Sequence, residues 1–514
     1  MNVIKSLNPA TLEVNKSIEE TNPQELEGIL HKAQIAQKEW KKTSLKERKK
    51  LLKQLLEHIS ENMNEIAKII HKETGKPRIE ALNSDVLAGL GGIRYTIDVL
   101  DDVLEPEKIK FTGMRLPMWY MGRSSYIHPQ PLGVIGIISP WNYPFGIPFS
   151  QIVMAIGVGN AVLLKPSSET PLVGLKIQYL FEKAGFPKNL VQAIPGSGSK
   201  IGSALVKSDV NRIIFTGSVG VGKKIMEMAS QNLKPVTLEL GGKSPMIILK
   251  DADLKRTVKG AVWGSFLNAG QTCAGVKRIY VHEDIYDEFV NSFKEMVENL
   301  KQGWDWEDPE ISIGPVINES ALNDMKNHVK RAKEQGATVF TGGKQKEGLK
   351  GFFFEPTILT DLTQDMDAVQ EEIFGPIVTV LKFSTVDQAI QMANDTSFGL
   401  FGSVWTRNLE KGEEIAKKMT MGTISVNNHV YTYGLPQTPW GGNKNSGIGR
   451  THGKFGFEEL VEPHHIHIDA GKIQEDLWWQ PYNREKLELQ SEINDVLFRK
   501  KYLKMYSLVK KLKK

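Results

Sequence analysis

The chain of 514 residues contains a single cysteine, Cys273, within a turn of small residues at 268–275. A reactive thiol needs access and backbone N–H groups that stabilise a thiolate or an oxyanion, and a glycine-flanked turn supplies both. A cysteine that serves as a small hydrophobic residue lies more often within an apolar strand or helix. The placement makes Cys273 a candidate nucleophile, with a structural thiol as the alternative.

Two other side chains suit the chemistry of such a nucleophile. Glu239 lies between two leucines and ahead of two glycines, and an apolar setting raises the pKa of a carboxyl group toward that of a general base. An ion pair with a nearby lysine is the alternative for Glu239. Asn142, in the segment 139–144, carries a neutral amide that stabilises an oxyanion, although asparagine is also a common turn former.

A glycine-rich segment at 217–224 matches the spacing of a P-loop up to its lysine. A P-loop has Ser or Thr after that lysine to hold magnesium, and this chain has Lys224 there. Glycines at a helix N-terminus also let a phosphate approach closely, so the segment indicates a dinucleotide pyrophosphate. An ordinary strand-to-helix turn is the alternative. Lys165 suits sugar hydroxyls or phosphate, unless its segment, 163–171, is only a surface loop.

Short apolar segments precede these candidates and predict the fold that positions them. Segments 134–138, 161–164 and 212–216 alternate with helical patterns, which is typical of a buried parallel sheet. A second set from 246 to about 440 contains Cys273. The first hundred residues predict helices packed on a sheet. The expected fold class is therefore α/β, with two Rossmann-like domains that flank one cleft.

Composition and charge narrow the class of protein. No stretch approaches the roughly 20 apolar residues of a membrane span, and the N-terminus lacks a signal-peptide core. One cysteine forms no internal disulfide, so a cytoplasmic location is expected. The net charge of +5 is poor evidence for nucleic acid. His464, His465 and His467 lack a further ligand signature, so no metal is expected.

The C-terminal tail, 499–514, carries eight cations and no acid. Its apolar positions, 502, 503, 505, 506, 508, 509 and 512, form a helical stripe beneath a basic face, which is typical of a helix that lies on a membrane surface. The alternatives are a solvated helix docked on its own protein and a frayed tail.

Taken together, a set of ordered motifs resembles the aldehyde dehydrogenase superfamily from about residue 7 to 470. The motifs are Pro140-Trp141-Asn142, Lys165-Pro166-Ser167, Phe215-Thr216-Gly217-Ser218, Glu239-Leu240-Gly241-Gly242-Lys243, Gly270-Gln271-Thr272-Cys273, Glu371-Glu372-Ile373-Phe374-Gly375-Pro376 and Asn394-Asp395-Thr396. The resemblance implies attack of the Cys273 thiolate on an aldehyde, with the oxyanion held by the Asn142 amide and the Cys273 N–H. It also implies hydride transfer to nicotinamide and hydrolysis of a thioester by water that Glu239 activates.

The same resemblance implies NAD or NADP as cofactor. Its contacts would be Trp141, Lys165, Gly217, Ser218 and Gly222 at the adenosine and pyrophosphate end, with Glu372 and Phe374 near the nicotinamide ribose. NAD-preferring relatives often carry a glutamate three residues after the lysine, where this chain has Ser168. A short hydroxyl leaves room for a 2′-phosphate, so both cofactors stay open.

For the substrate, the resemblance leaves several aldehydes open. Succinate-semialdehyde dehydrogenases hold the distal carboxylate with arginines, and the corresponding positions here are Ser150 and Leu267. An apolar pocket for aliphatic or aromatic aldehydes is the preferred prediction; its expected lining is Ile147, Phe149, Ser150, Phe266, Leu267 and Thr272. The alternatives are a succinate-semialdehyde dehydrogenase, an enzyme that passes the acyl group to coenzyme A and, less favoured, a relative without activity.

The resemblance also predicts a homodimer or homotetramer built through edge strands. The predicted divisions are a dinucleotide-binding domain at 1–120 and 138–241, a catalytic domain at 242–440, oligomerisation strands at 121–137 and 455–470, and a C-terminal extension at 471–514.

Overall fold

The computed structural model describes residues 3–111, 118 and 121–512. The chain divides into two compact units, which are residues 1–100 with 131–460, and residues 101–130 with 461–514. The division predicted at residue 120 lies outside the described residues, and the predicted domain boundaries stay a prediction.

The strands follow one another along the described chain. In order they are β1 (Val3–Leu7), β2 (Val14–Glu19), β3 (Glu107–Lys108), β4 (Arg123–Pro131), β5 (Val134–Ile138), β6 (Ala161–Lys165), β7 (Val191–Ala193), β8 (Arg212–Thr216), β9 (Val236–Glu239), β10 (Ser244–Ile248), β11 (Val276–His282), β12 (Thr338–Thr341), β13 (Thr357–Thr360), β14 (Ile377–Phe383), β15 (Phe398–Gly399), β16 (Phe401–Trp405), β17 (Thr423–Val426), β18 (Asn443–Lys444), β19 (Gly447–Ile448) and β20 (Val461–Asp469).

The α-helices connect and cover these strands. In order they are α1 (Leu26–Trp40), α2 (Leu45–Glu61), α3 (Met63–Thr74), α4 (Arg78–Glu80), α5 (Ala88–Leu104), α6 (Gly146–Val158), α7 (Pro171–Lys183), α8 (Ser203–Lys207), α9 (Val219–Ser230), α10 (Leu254–Phe266), α11 (Tyr286–Glu298), α12 (Glu319–Glu334), α13 (Asp367–Gln370), α14 (Val386–Asn394), α15 (Leu409–Lys418), α16 (Gly453–Glu458), α17 (Arg484–Leu497) and α18 (Met505–Leu512).

The first sheet of the larger unit has the order β19-β9-β8-β5-β6-β7. Its strands pair in parallel except for β19, which runs antiparallel to β9. Strands β5 and β6 are buried throughout, as expected for a parallel sheet covered on both faces. Strands β5 and β8 have the bounds expected from their apolar segments, and β6 extends one residue further, to Lys165.

The second sheet of this unit has the order β12-β13-β14-β11-β10-β16-β17. Its pairs are parallel apart from β12, which runs antiparallel to β13 at the edge. Apolar residues of α10 and α11 pack on β10, β11 and β14 and form its largest core. The two mostly parallel sheets with their helices confirm the predicted α/β class.

The start of the chain differs from the expectation of helices through the first hundred residues. Strands β1 and β2 form an antiparallel hairpin, and the first α-helix begins at Leu26. The Asn8 side chain accepts a hydrogen bond from the Ala10 N–H at 2.9 Å, which closes a local turn between the strands. Such a turn favours a hairpin over a helix, and helices then follow from Leu26 to Leu104.

The smaller unit contains a sheet of order β20-β4-β3 and the C-terminal helices α17 and α18. Strand β20 forms one edge of this sheet, and nearly all of its residues are exposed. Ser125 in β4 and His467 in β20 are joined by a hydrogen bond of 2.8 Å between Oγ and Nδ1. The two strands expected to mediate oligomerisation therefore lie beside each other in one chain.

Candidate active site

Cys273 lies in the loop between α10 and β11, just ahead of the amino end of β11 in the second sheet. Three successive residues ahead of it have left-handed backbone conformations, with φ of 55° at Asn268, 53° at Ala269 and 69° at Gly270. A non-glycine residue in this region costs about 1–2 kcal/mol. The loop is therefore strained, and surrounding contacts must hold it.

Several buried groups hold this loop. The Glu80 carboxylate accepts the Asn268 N–H at 3.0 and 3.1 Å. The Lys277 ammonium donates to the Gly270 carbonyl at 2.5 Å, and the Gln271 side chain accepts the Ile317 N–H at 2.9 Å. These partners come from different parts of the chain. Tertiary contacts therefore fix the loop and the position of Cys273 that follows it.

Two cavities meet at Cys273 and Glu239, since both residues line both cavities. The first, of about 240 Å³, lies between the two sheets and is lined by Pro140, Trp141, Asn142, Thr216, Gly217, Ser218, Glu239, Leu240, Gly241, Cys273, Glu372 and Phe374. The second, of about 320 Å³, is lined by Asn83, Ser84, Ala88, Tyr143, Ile147, Glu239, Trp263, Leu267, Thr272, Cys273, Ala274, Val430, Tyr431, Tyr433, Gly434 and Trp440. We call them the inter-sheet cavity and the aromatic cavity. A thiol at their junction faces occupants of both.

The Cys273 side chain is partly exposed. Burial raises the pKa of its thiol to about 12, and the carboxylates of Glu239 and Glu372 add to the rise. The backbone N–H groups of Cys273 and Ala274 act in the opposite direction by hydrogen bonding to the sulfur. The free thiol is therefore protonated at neutral pH, and a base must take its proton when it attacks.

Glu239 ends strand β9, and its carbonyl oxygen accepts the Gly217 N–H at 3.0 Å. Burial raises the pKa of its carboxyl group to about 7, against the lowering effects of a hydrogen bond from Thr451 and of the Arg450 charge. A carboxyl group with this pKa exchanges protons near neutral pH, as a general base must.

Asn142 is buried and held from two sides. Its Nδ2 donates to the Gln271 carbonyl at 3.0 Å, which directs the amide toward the cysteine loop. Its own carbonyl accepts Lys76 Nζ at 2.6 Å and Asn268 Nδ2 at 3.0 Å. Lys76 in turn pairs with Asp85 at 2.8 Å in full burial.

Asp85 connects this ion pair to helix α6. Its other oxygen accepts the N–H groups of Phe145 and Gly146 at 3.1 and 2.9 Å, so the carboxylate stabilises the N-terminus of α6. The pair of Lys76 and Asp85 therefore fixes both ends of the short segment that carries Asn142.

The inter-sheet cavity has the features that a dinucleotide needs. It lies outside the carboxyl ends of β5, β8 and β9, where open parallel sheets bind such ligands. Thr216 Oγ1 is buried without a hydrogen-bond partner among the described residues. Ser218 precedes α9 without a side-chain bond to it, which leaves the first N–H groups of a twelve-residue helix available to an anion.

At the other end of this cavity, Glu372 accepts the Gly242 N–H at 3.0 Å. Burial raises the pKa of its carboxyl group. The rings of Trp141 and Phe374 meet edge to face at 5.5 Å. The residues expected at the cofactor are thus mostly brought together here.

Three of the expected cofactor residues are not part of the cavity lining. Lys165 is buried at the end of β6, and burial lowers its pKa to about 8 although the Glu20 charge raises it. Ser168 is exposed. Gly222 is buried in α9, where an added Cβ would lie 2.6 Å from Leu240, so it serves close packing of helix on strand.

Three of the residues expected in this lining, Phe149, Ser150 and Phe266, are not among the residues that line the aromatic cavity. Phe149 is fully buried in α6 and stacks on Phe145 at 4.6 Å. Ser150 donates to the Gly146 carbonyl at 2.9 Å within the same helix. Phe266 packs on Phe293 in the core of the second sheet. Ile147, Leu267 and Thr272 do line the cavity.

Several lining residues carried no local signal in the sequence. Thr272 donates to the Leu267 carbonyl at 3.2 Å, so Tyr143 is the donor in its 2.6 Å hydrogen bond with Thr272. Tyr433 packs edge to face on Trp440 at 5.0 Å. Tyr143 directly follows Asn142 in the sequence, so a place near the site could be expected for it. Tyr433 and Trp440 lie far from the sequence motifs, and only tertiary packing brings them to the cavity.

A cysteine between a cavity suited to a dinucleotide and a largely apolar cavity is typical of oxidoreductases that work through a covalent cysteine intermediate. The chain belongs to the aldehyde dehydrogenase family, whose model matches residues 1–466. As a member, it is an enzyme of NAD- or NADP-dependent aldehyde oxidation.

The relatives include enzymes with different named substrates. Betaine aldehyde dehydrogenase of Bacillus subtilis (strain 168) is 38% identical over 434 residues, which is 84% of this chain and 86% of that protein. A putative succinate-semialdehyde dehydrogenase [NADP(+)] 2 of Mycobacterium tuberculosis (strain ATCC 25618 / H37Rv) is 36% identical over 85% of this chain and 83% of its own length. The NAD+ complex of an aldehyde dehydrogenase from Bacillus cereus has a TM-score of 0.87 and 34% identity, and covers 91% of this chain and 94% of that one.

None of the helices in the described part of the chain is long and apolar enough to cross a membrane. Within the same residues, no group of three or more His, Cys, Asp or Glu side chains is arranged to hold a metal ion.

Proposed function

We propose that this enzyme oxidises apolar aliphatic or aromatic aldehydes to carboxylic acids by hydrolysis of a Cys273 thioester. The supporting observation is the aromatic cavity, in which Glu239 is the one charged side chain among the described lining residues. A distal carboxylate in this cavity would lose its hydration without gaining a cation. An apolar chain would bury its surface against Tyr433, Trp440 and Trp263.

In the first step, Cys273 Sγ attacks the aldehyde carbon. Because the pKa of the thiol is about 12, attack requires transfer of its proton, and the Glu239 carboxylate is the candidate acceptor. The oxyanion receives hydrogen bonds from the Asn142 amide and the Cys273 N–H. Both donors are held rigidly by the cysteine loop, so they need no reorganisation as charge develops.

The cofactor would lie in the inter-sheet cavity, held by Trp141, Gly217, Ser218, Glu372 and Phe374. NAD or NADP bound there would supply the acceptor for the hydride of the aldehyde. Lys165 and Ser168 would lie toward the adenosine end of the cofactor. Gly222 would not contact the cofactor but would allow α9 to pack closely against Leu240.

Before the last step, Glu239 releases the thiol proton to solvent. Its carboxylate then accepts a proton from water, and the resulting hydroxide attacks the thioester. The acid leaves, and the thiol is restored as Glu239 releases its proton. The presence of this carboxylate favours hydrolysis over transfer to coenzyme A, since an activated water would consume the thioester.

We propose that both NAD and NADP are accepted. Ser168 offers a short exposed hydroxyl where a carboxylate would repel a 2′-phosphate. Glu169, one residue further on, accepts Asn318 Nδ2 at 3.2 Å, so its carboxylate is engaged elsewhere. Lys165 is a candidate cation for the phosphate.

A second candidate substrate is succinate semialdehyde, because the mycobacterial relative is named as a putative dehydrogenase of it. The lack of a cation in the described lining of the aromatic cavity disfavours it. We also propose a homodimer or homotetramer that pairs through β20, since an exposed edge strand of nine residues is a template for another chain.

The test is initial-rate reduction of NAD and of NADP by the purified enzyme against acetaldehyde, decanal, benzaldehyde and succinate semialdehyde, with and without coenzyme A. The proposal expects the highest kcat/KM with decanal or benzaldehyde and no requirement for coenzyme A. A preference for succinate semialdehyde, or turnover only with coenzyme A, would replace it with the corresponding alternative.

A further inference from the structure

The C-terminal helices α17 and α18 form a hairpin with its own small core. Leu489 and Val496 of α17 pack with Leu508 of α18 and with Leu477, and Met505 lies partly buried against them. The apolar stripe expected in the tail therefore does not act as one surface. Its residues Met505 and Leu508 pack on the protein, which agrees with the alternative of a helix docked on its own protein. The side chains of Val509 and Leu512 lie outside the described residues.

The rest of the apolar residues at the turn of this hairpin face solvent. Phe498 is 76% exposed, Leu503 is fully exposed and Tyr506 is 82% exposed. Leu503 and Tyr506 are three residues apart and so share a helical face, with Lys510 four residues beyond Tyr506 on the same face. We call Phe498, Tyr502, Leu503 and Tyr506 the apolar tip.

Cations surround the apolar tip. Arg499, Lys501 and Lys504 all pair with Asp495, and these lysines lower the pKa of its carboxyl group to about 2. Within the described part of the chain, Lys500 and Lys510 take part in no ion pair. The eight cations of residues 499–514 exceed the net charge of the whole chain, +5, so the remainder of the protein is net acidic. The positive field is thus concentrated at one end of the sequence.

We propose that the apolar tip is a docking surface for an anionic lipid bilayer, with Phe498, Leu503 and Tyr506 inserted at the headgroup level and the lysines set against lipid phosphates. Aromatic and leucine side chains combined with lysines form the composition of interfacial segments. Burial of the exposed phenylalanine and leucine would supply the attraction that a purely basic tail lacks. The contact is peripheral, because α18 spans only eight residues.

A nucleic-acid partner fits these residues less well than a lipid surface does. A nucleic acid would gain little binding free energy from contact with a fully exposed leucine. Its phosphates bind to basic patches, and such binding does not require apolar side chains. The segment also lies beyond the family match at residue 466. The proposed surface is therefore an addition to the catalytic machinery and makes no use of its residues.

The experiment is sedimentation of the full-length enzyme with vesicles of phosphatidylglycerol and phosphatidylcholine in equal proportion, and with vesicles of phosphatidylcholine alone. We expect binding to the anionic vesicles that weakens as salt rises. Lys500→Gln should lower the partition coefficient about five-fold, as expected for one cation near an anionic surface. Phe498→Ser with Leu503→Ser should lower it by about ten-fold or more.

Leu233→Ser is the matched control, because Leu233 is 92% exposed and lies outside the hairpin. It should leave binding unchanged, and all variants should keep wild-type oxidation of a short aldehyde. Asp495→Asn removes the acid that pairs three of the cations and should strengthen binding to anionic vesicles. The proposal is overturned if the wild type fails to bind anionic vesicles, or if Phe498→Ser with Leu503→Ser changes only self-association or nucleic-acid binding.

Discussion

The hydroxyl of Thr451 donates a hydrogen bond to the carboxylate of Glu239, the residue at which both cavities meet. The Thr451 backbone is fixed by two hydrogen bonds with Trp440, of 2.8 and 2.7 Å. Burial raises the pKa of the Glu239 carboxyl group to about 7. The hydrogen bond from the Thr451 hydroxyl acts in the opposite direction, because it stabilises the charged form. Thr451 is therefore a positioning residue that also sets the proton affinity of the proposed base.

Replacement of Thr451 by valine should raise the pKa of Glu239. Loss of one hydrogen bond to a charged group corresponds to about one pH unit or slightly more. We expect the acidic limb of the kcat profile to move to higher pH by that amount, so activity at pH 7 falls while activity at pH 9 is largely kept. Steady-state rates from pH 5 to 10 provide the measurement.

Thr341→Val is the matched control for Thr451→Val. Thr341 Oγ1 donates to Glu298 at 2.8 Å on the surface of the protein, so this variant removes the same kind of bond away from the site. Its pH profile should match the wild type. An equal loss at every pH in Thr451→Val would mean that the threonine matters only for structure.

Glu239→Gln should make the protein more stable at high pH. The pKa of Glu239 in the fold, about 7, lies above its ordinary value of 4.5. Its carboxyl group therefore favours folding below pH 4.5, and this contribution is lost as the pH rises through 7. We expect the free energy of unfolding of the variant at pH 8.5 to exceed that of the wild type by up to about 3 kcal/mol.

Denaturant titrations at pH 8.5 and pH 4 measure this difference. At pH 4 both side chains are neutral, so the two proteins should unfold at similar denaturant concentrations. A gain of the same size at both pH values would show that glutamine packs better there and that the carboxylate charge is not the cause.

Leu267→Arg should give the enzyme activity toward succinate semialdehyde. Leu267 lines the aromatic cavity, which has no cation among its described residues. A charged hydrogen bond to the distal carboxylate corresponds to roughly a ten-fold to hundred-fold rise in kcat/KM. Leu267→Met, which adds no charge, serves as the control and should show no such rise. If neither variant changes selectivity, the carboxylate does not reach residue 267.

Ser168→Glu should shift the cofactor preference toward NAD. A carboxylate at this exposed position would repel the 2′-phosphate of NADP and leave NAD unaffected, so the ratio of kcat/KM for NAD over NADP should rise about ten-fold or more. Glu169→Gln should leave the ratio unchanged, because Glu169 is engaged by Asn318. An unaltered ratio in Ser168→Glu would place the adenosine ribose elsewhere.

The sequence was most informative where the candidate site residues lie in short segments beside a strand. Cys273, Glu239 and Asn142 each sit in a recognisable local motif, and buried strands such as β5 and β8 are short continuous apolar runs. Such runs predict a parallel sheet because both faces are covered. The α/β class and most of the inter-sheet cavity could therefore be predicted.

Features that depend on distant packing could not be predicted in this way. Thr451 lies 212 residues from Glu239 in the chain, and no local pattern links them. Helix α6 is buried on every side, so its sequence gives no sign that Ile147 faces the aromatic cavity while Phe149 faces the core. The pairing of Lys76 with Asp85 is likewise visible only in the folded chain.

The most direct test of the central claim is a rapid-quench reaction of Glu239→Gln with decanal and saturating cofactor, followed by intact and peptide mass spectrometry. We predict one equivalent of reduced cofactor per active site, formed more slowly than in the wild type because glutamine accepts no proton from the thiol. A decanoyl group should then accumulate on Cys273, because hydrolysis of the thioester lacks a base. Cys273→Ala should show neither. Sustained turnover by Glu239→Gln without an adduct, or a decanoyl group on any other residue, would contradict the account.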